Sequence, residues 1–255
     1  MVDGPLLSTL AQQSATRALE FLPQDLSLVA WAYARVFLYD APFFAAIAAA
    51  TMARHAEFAG QNLANSMWAF ATVLHEDEAL FKDLADMCLV SLTSLGALEV
   101  STALWSCATV GHYVPKLFSD AVQRVQSLAG VLESQQLTSV AWSFARVAHR
   151  SAQLFQCVAA AVVERQLPLE PTEINRLVWA FAYPGRPAEE RTGRAGGFRN
   201  PELLSHLATQ ALRQMSRLDA LQASSIAWSF ATLTYRDQAL FLALGTRFAD
   251  ADTLR

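Results

Sequence analysis

The sequence is poor in charge, in cysteine and in any signature of catalysis. Only 16% of its 255 residues are charged and 53% are hydrophobic, so the chain is too apolar to be disordered and can bury a substantial core. Nineteen Lys and Arg stand against 23 Asp and Glu, a net charge of −4, which argues against a uniformly basic surface and against indiscriminate nucleic-acid binding. The three cysteines, Cys88, Cys107 and Cys157, form no C-x-x-C pair and keep no regular spacing to histidine. They read as buried thiols of a reducing compartment rather than as disulfide partners or metal ligands. No apolar stretch reaches the roughly 20 residues of a membrane span, so no membrane partner is expected. The opening MVDGPLLSTLAQQSATRAL, with Asp3 and one arginine, matches neither a secretory signal nor an organelle transit peptide. Phosphate-binding glycine loops and zinc-protease or serine-hydrolase motifs are missing, so neither an enzymatic activity nor a cofactor or metal is expected. Alternating period-two runs are missing too, which leaves little room for β-structure.

What the sequence does have is a repeat. Trp31, Trp68, Trp105, Trp142 and Trp179 follow one another at intervals of 37, and Trp228, the sixth and last tryptophan, comes 49 later. Around them recur VAWAYARV, SMWAFATV, ALWSCATV, VAWSFARV, LVWAFAYP and IAWSFATL. Thirteen positions after tryptophan stand Phe44, Phe81, Phe118, Phe155 and Phe241; in the fifth unit the equivalent is Leu204, displaced by 12 extra residues within 184–199. Apolar side chains at −5, −1, 0, +2, +3 and +5 from tryptophan fit one face of a first helix, A. A capping residue at +9, namely Asp40, Asp77, Ser151 or Asp237, opens a second helix, B; in the fifth unit Asn200 takes this role, followed by Pro201. The acidic run Glu76, Asp77, Glu78 suits such a helix start better than a nuclease site.

The expected fold is all-α: a single right-handed α-solenoid spanning 1–255, six units of about 37 residues and about thirteen helices. Residues 5–20 read as a helix B without a helix A. This half unit reads as the mark of a piece of a longer protein, or else as an N-terminal cap. The tryptophans lie among Ala, Phe and Val, and their size favours burial in the core, worth roughly 4–6 kcal/mol each by area. A stacking platform for bases is the alternative.

The string QNLANSMWAFATVLHEDEALF and its echoes QQLTSVAWSFARVAHRSAQLF and QASSIAWSFATLTYRDQALF resemble the octotricopeptide repeats and the related FAST-kinase-like helical repeats found beside RAP domains. The resemblance covers nearly the whole chain and implies paired-helix units that bind single-stranded RNA, not DNA, selectively. It further implies roles in maturation, stability or translation of organelle transcripts, in mitochondrion or chloroplast.

A second stripe on helix A, at −6, −3, +1 and +4, is mostly small and polar, and a 3.6-residue period sets it away from the core. Its hydrogen-bonding members are Asp25 and Arg35; Asn62, Asn65 and Thr72; Glu99, Thr102 and Thr109; Gln136, Ser139 and Arg146; Glu173 and Arg176; Gln222, Ser225 and Thr232. With Ala or Ser always at +1, these are the candidate RNA-binding residues of a reader taking one base per unit. A solvated face, or small residues where A helices approach closely, is the plain alternative. At the level of function, an armadillo- or HEAT-type scaffold for protein partners is the rival: a basic strip along the A face would favour RNA, an uncharged or hydrophobic groove a peptide or protein. His75, His112 and His149 recur at +7 with Tyr235, one per unit and too far apart for one metal, so turn packing is expected of them. The insertion, with Arg186, Arg191, Arg194 and Arg199, reads as a locally basic loop.

Overall fold

A computed structural model of the chain describes residues 4–58, 60–183 and 197–252. Among these residues it contains thirteen α-helices and no strand, as the repeat predicts. Six are A helices: α2 (Pro23–Arg35), α4 (Gly60–Thr72), α6 (Ala97–Val110), α8 (Ser134–Arg146), α10 (Pro171–Ala182) and α12 (Ala220–Thr232). Each is followed by its B helix: α3 (Ala41–Ala53), α5 (Glu78–Ser91), α7 (Pro115–Leu128), α9 (Ala152–Glu164), α11 (Pro201–Arg213) and α13 (Gln238–Asp252). The first helix, α1 (Gly4–Thr16), is the unpaired B helix expected over 5–20.

Every predicted +9 residue caps its B helix. Asp40, Asp77, Asn200 and Asp237 accept from the amide three residues on at 2.9 Å, and Ser151 does so at 3.2 Å. Each such bond satisfies one of the orphan donors of a first helical turn. The opposite end of helix A closes with a left-handed residue at +6. Phe37, Leu74, Gly111, Ala148 and Thr234 have φ between 52° and 74°, and the next amide returns to the carbonyl at +2, as in His75 N–H to Phe70 O at 3.0 Å. This is the two-bond helix stop that favours glycine, yet of these five residues only Gly111 is one.

The chain divides into two compact units, Met1–Arg124 and Val125–Arg255. In the first, α2 packs on α4 and α4 on α6, while α1, α3 and α5 form a second row. In the second, α8 packs on α10 and α10 on α12, with α9, α11 and α13 behind them. Stacking of like helices lets paired helices bury faces that one hairpin would leave open.

The core is built on the +2 and +13 positions. Tyr33, Phe70, Cys107, Phe144, Phe181 and Phe230 at +2 are all buried, as are Phe44, Phe81, Phe118, Phe155 and Leu204 at +13. Successive repeats interlock through these rings. Phe70 meets Phe44 of the preceding repeat edge-on at 5.9 Å, and Phe181 meets Phe155 at 5.0 Å. Edge-to-face pairs of this kind add to the stabilisation from burial alone.

A recurring tie was not foreseen from the sequence. The carbonyl ten residues before five of the six tryptophans, in the turn that leads into helix A, accepts from a side chain near the end of the following B helix. Arg54 donates to Phe21, Arg124 to Leu95, Arg165 to Leu132, Gln214 to Leu169 and Arg247 to Leu218. The donors are split between +19 and +23, so a search for one fixed column does not reveal them.

Candidate functional site

The decisive geometry lies on the exposed side of the A helices, and it corrects one expectation. None of the tryptophans is in the core: Trp31 is 39% and Trp228 48% exposed, and Trp68, Trp105, Trp142 and Trp179 are half-buried. At about 100° per residue, tryptophan lies some 40° from position +4 and 60° from −3, but 160° from the buried +2 position. The indoles therefore share the surface stripe with −3 and +4. In the first unit Trp31 and Trp68, on neighbouring helices, stand 6.3 Å apart at 40°. In the second, Trp179 stacks on Tyr183 at 5.4 Å and 26°, and Tyr183 approaches Trp228 at 6.5 Å and 47°.

The four columns of the predicted reader behave differently. Position +1 is buried: Ala69, Ser106, Ser143, Ala180 and Ser229 have no accessible surface, while Ala32 on α2, the first described A helix, is exposed. Small residues are needed there because consecutive A helices touch within each unit, so this column belongs to the packing and not to a face set away from the core.

Position −6 is taken up locally. Asp25, Gln136, Glu173 and Gln222 each accept the amide that opens their own helix, at 2.8–3.1 Å. Asn62 accepts from Ser27 across α2 and α4 at 3.4 Å, and the Glu99 carboxylate folds over Gly96, where an added Cβ would meet it at 2.6 Å. The recurring hydrogen-bonding residue at −6 thus has a capping explanation.

Positions −3 and +4 remain beside the indole. Arg35, Arg146 and Arg176 are exposed, and Asn65, Thr102, Ser139, Ser225 and Thr232 are half-buried. The hydroxyls of Thr72 and Thr109 are covered and make no hydrogen bond. Of the charged residues in the four columns, the first unit carries Asp25, Glu99 and Arg35, and the second Glu173, Arg146 and Arg176. Among the described residues neither unit presents a basic strip along this face.

The +7 residues are turn anchors, as expected. His75 lies 5.4 Å from Phe70 and 6.2 Å from Phe44, with Tyr39 Oη at 3.3 Å from its Nδ1. Burial holds the His75 imidazole below its ordinary pKa, against a smaller opposite pull from Asp77, and burial also lowers His149. In the fifth repeat Phe198 takes this position: its amide donates to Phe181 O at 2.9 Å and its ring stacks on Phe155 at 4.3 Å. Gly197 lets it in, since a Cβ there would lie 2.7 Å from that same carbonyl. Of the insertion arginines, Arg199 is within 3.5 Å of Thr234 O, and Arg186, Arg191 and Arg194 lie outside the described residues.

The predicted buried thiols are found at Cys88 and Cys107, whereas Cys157 is half-buried. Among the described residues no helix is long and apolar enough to cross a membrane. Compared with known proteins, the chain matches no family model and none of the curated proteins.

Proposed function

We propose that the A-helix face binds single-stranded RNA, with the indoles as stacking surfaces and the accessible polar side chains at −3 and +4 as readers of base edges. One observation carries the reading: on this face a ring that never varies stands beside two positions that change from repeat to repeat. Stacking on an aromatic face suits every base, at about 1–3 kcal/mol each, while Asn, Ser, Thr and Arg can discriminate between base edges. The octotricopeptide-like sequence extends the proposal to organelle transcripts, in mitochondrion or chloroplast, with no catalytic step assigned to the chain.

The test is binding of labelled single-stranded RNA selected from a random pool, read by anisotropy and by quenching of the indole fluorescence at several salt concentrations. With Arg35, Arg146 and Arg176 as the cations beside the rings, log Kd should change with log salt by only about 2, near 0.7 per phosphate met. Asn65→Ala should weaken the selected RNA more than scrambled RNA and leave the melting temperature in place. Equal loss for all sequences would remove base reading at Asn65.

The lack of a basic strip favours a second reading, in which the face docks an extended peptide between Trp and small polar residues. Absence of RNA binding, together with indole quenching by a peptide partner, would select it.

A further inference from the structure

The fifth repeat breaks the pattern of its face. Position +4 is Arg or Thr in the other five repeats, namely Arg35, Thr72, Thr109, Arg146 and Thr232, and is Tyr183 only here. The cause is local. Pro184 follows, and the residue before a proline is driven out of helical backbone, so α10 ends at Ala182 with Tyr183 at φ −122° and ψ 71°. The Tyr183 amide still reaches Trp179 O at 2.8 Å, which keeps the phenol beside the indole of its own helix. Its ring lies 5.4 Å from Trp179, nearly parallel, and 6.5 Å from Trp228 on the next A helix. At the Trp31 to Trp68 step, where +4 is Arg35, the two indoles themselves approach to 6.3 Å, tilted by 40°.

The geometry points to Tyr183 as a built-in occupant of the stacking position between the fifth and sixth indoles, so that a bound single strand places no base at that step. This inference rests on the RNA reading of the face. A base laid against Trp179 toward Trp228 would need the space the phenol fills. The phenol is tethered to the chain, so it occupies that space ahead of any free base. The second unit would therefore count one base fewer than its three tryptophans suggest, and the strand bound to it would be shorter by one nucleotide.

The experiment compares the wild-type chain with Tyr183→Thr, which installs the residue of the second, third and sixth repeats, and with Tyr183→Phe, which keeps the ring. Site size and affinity are read by indole quenching with oligouridylates of stepped length. Far-UV circular dichroism confirms that each variant is folded. The expected result is a site longer by one nucleotide in Tyr183→Thr, with roughly tenfold tighter binding of the longer oligomer, and wild-type behaviour in Tyr183→Phe. If wild type binds RNA and Tyr183→Thr keeps its site size, or binds more weakly, the slot assignment is overturned and the RNA reading stands. If wild type binds no single-stranded RNA, the reading itself falls and takes the inference with it.

Discussion

Two aromatic residues on α12, separated by one position, should differ widely in their cost to stability. Phe230 has no accessible surface, whereas Trp228 is 48% exposed. Truncation of a fully buried phenylalanine removes its transfer free energy and leaves a cavity, about 3–5 kcal/mol together. A large aromatic hides up to about 250 Å² when fully buried, so roughly 130 Å² of the indole is covered, near 3 kcal/mol at 25 cal/mol/Å². Compactness of the denatured chain trims this to about 2 kcal/mol, and the rim position leaves no enclosed cavity. Phe230→Ala should therefore cost about twice as much as Trp228→Ala. Urea titrations followed by circular dichroism at 222 nm supply both values, with equal m-values as the condition for comparing midpoints. A Trp228→Ala loss equal to or larger than that of Phe230→Ala would place the indole in the core and remove the basis for a ligand face.

Ala148 holds φ 60° and Gly111 φ 74°, and a Cβ added at Gly111 meets nothing within 4 Å. Ala148→Gly should thus stabilise the protein by about 0.5–1 kcal/mol and Gly111→Ala destabilise it by about 1 kcal/mol in thermal melts; the opposite signs would refute the left-handed helix stop. His75 and His149 have lowered pKa values in the fold, chiefly through burial, so each takes up a proton on unfolding once the pH drops below about 6.5. Stability should be flat above pH 7 and fall from pH 6.5 downward, and His75→Gln should flatten that slope in urea titrations at stepped pH. Burial pushes the Cys107 thiol up to about 12 and Cys88 well above its usual value, with a smaller rise for half-buried Cys157. An aromatic disulfide reagent should titrate Cys157 in the native protein and the other two only in denaturant; rapid labelling of all three would contradict their burial.

Much of this fold is legible in the sequence. The 37-residue step, with one interval of 49, locates all six hairpins, and the capping residues are legible because Asp, Ser and Asn have a specific hydrogen bond to make at a helix start. The placement of tryptophan is hard to read because residue type and angle point in opposite directions. The 100° step already set Trp68 beside Asn65 and Thr72, opposite Phe70, but the size of the indole argued for the interior. The −6 column was ambiguous for a different reason: Gln136 or Glu173 reaching back to its own helix start looks in sequence like a residue waiting for a ligand. The ties to the −10 carbonyl were hidden because Arg124 and Arg165 reach equivalent oxygens from positions a turn apart.

Those ties make the two edges of a repeat unequal in how they can evolve. On the edge where a B helix hands over to the next A helix, a guanidinium or amide fixes one particular oxygen, so gaining or losing a residue there breaks the clasp. On the other edge the chain needs only a ring to re-enter over Phe155, and Phe198 does this after twelve additional residues. Length variation among copies of this unit should accumulate at the hairpin tips, leaving the handover between repeats constant in length.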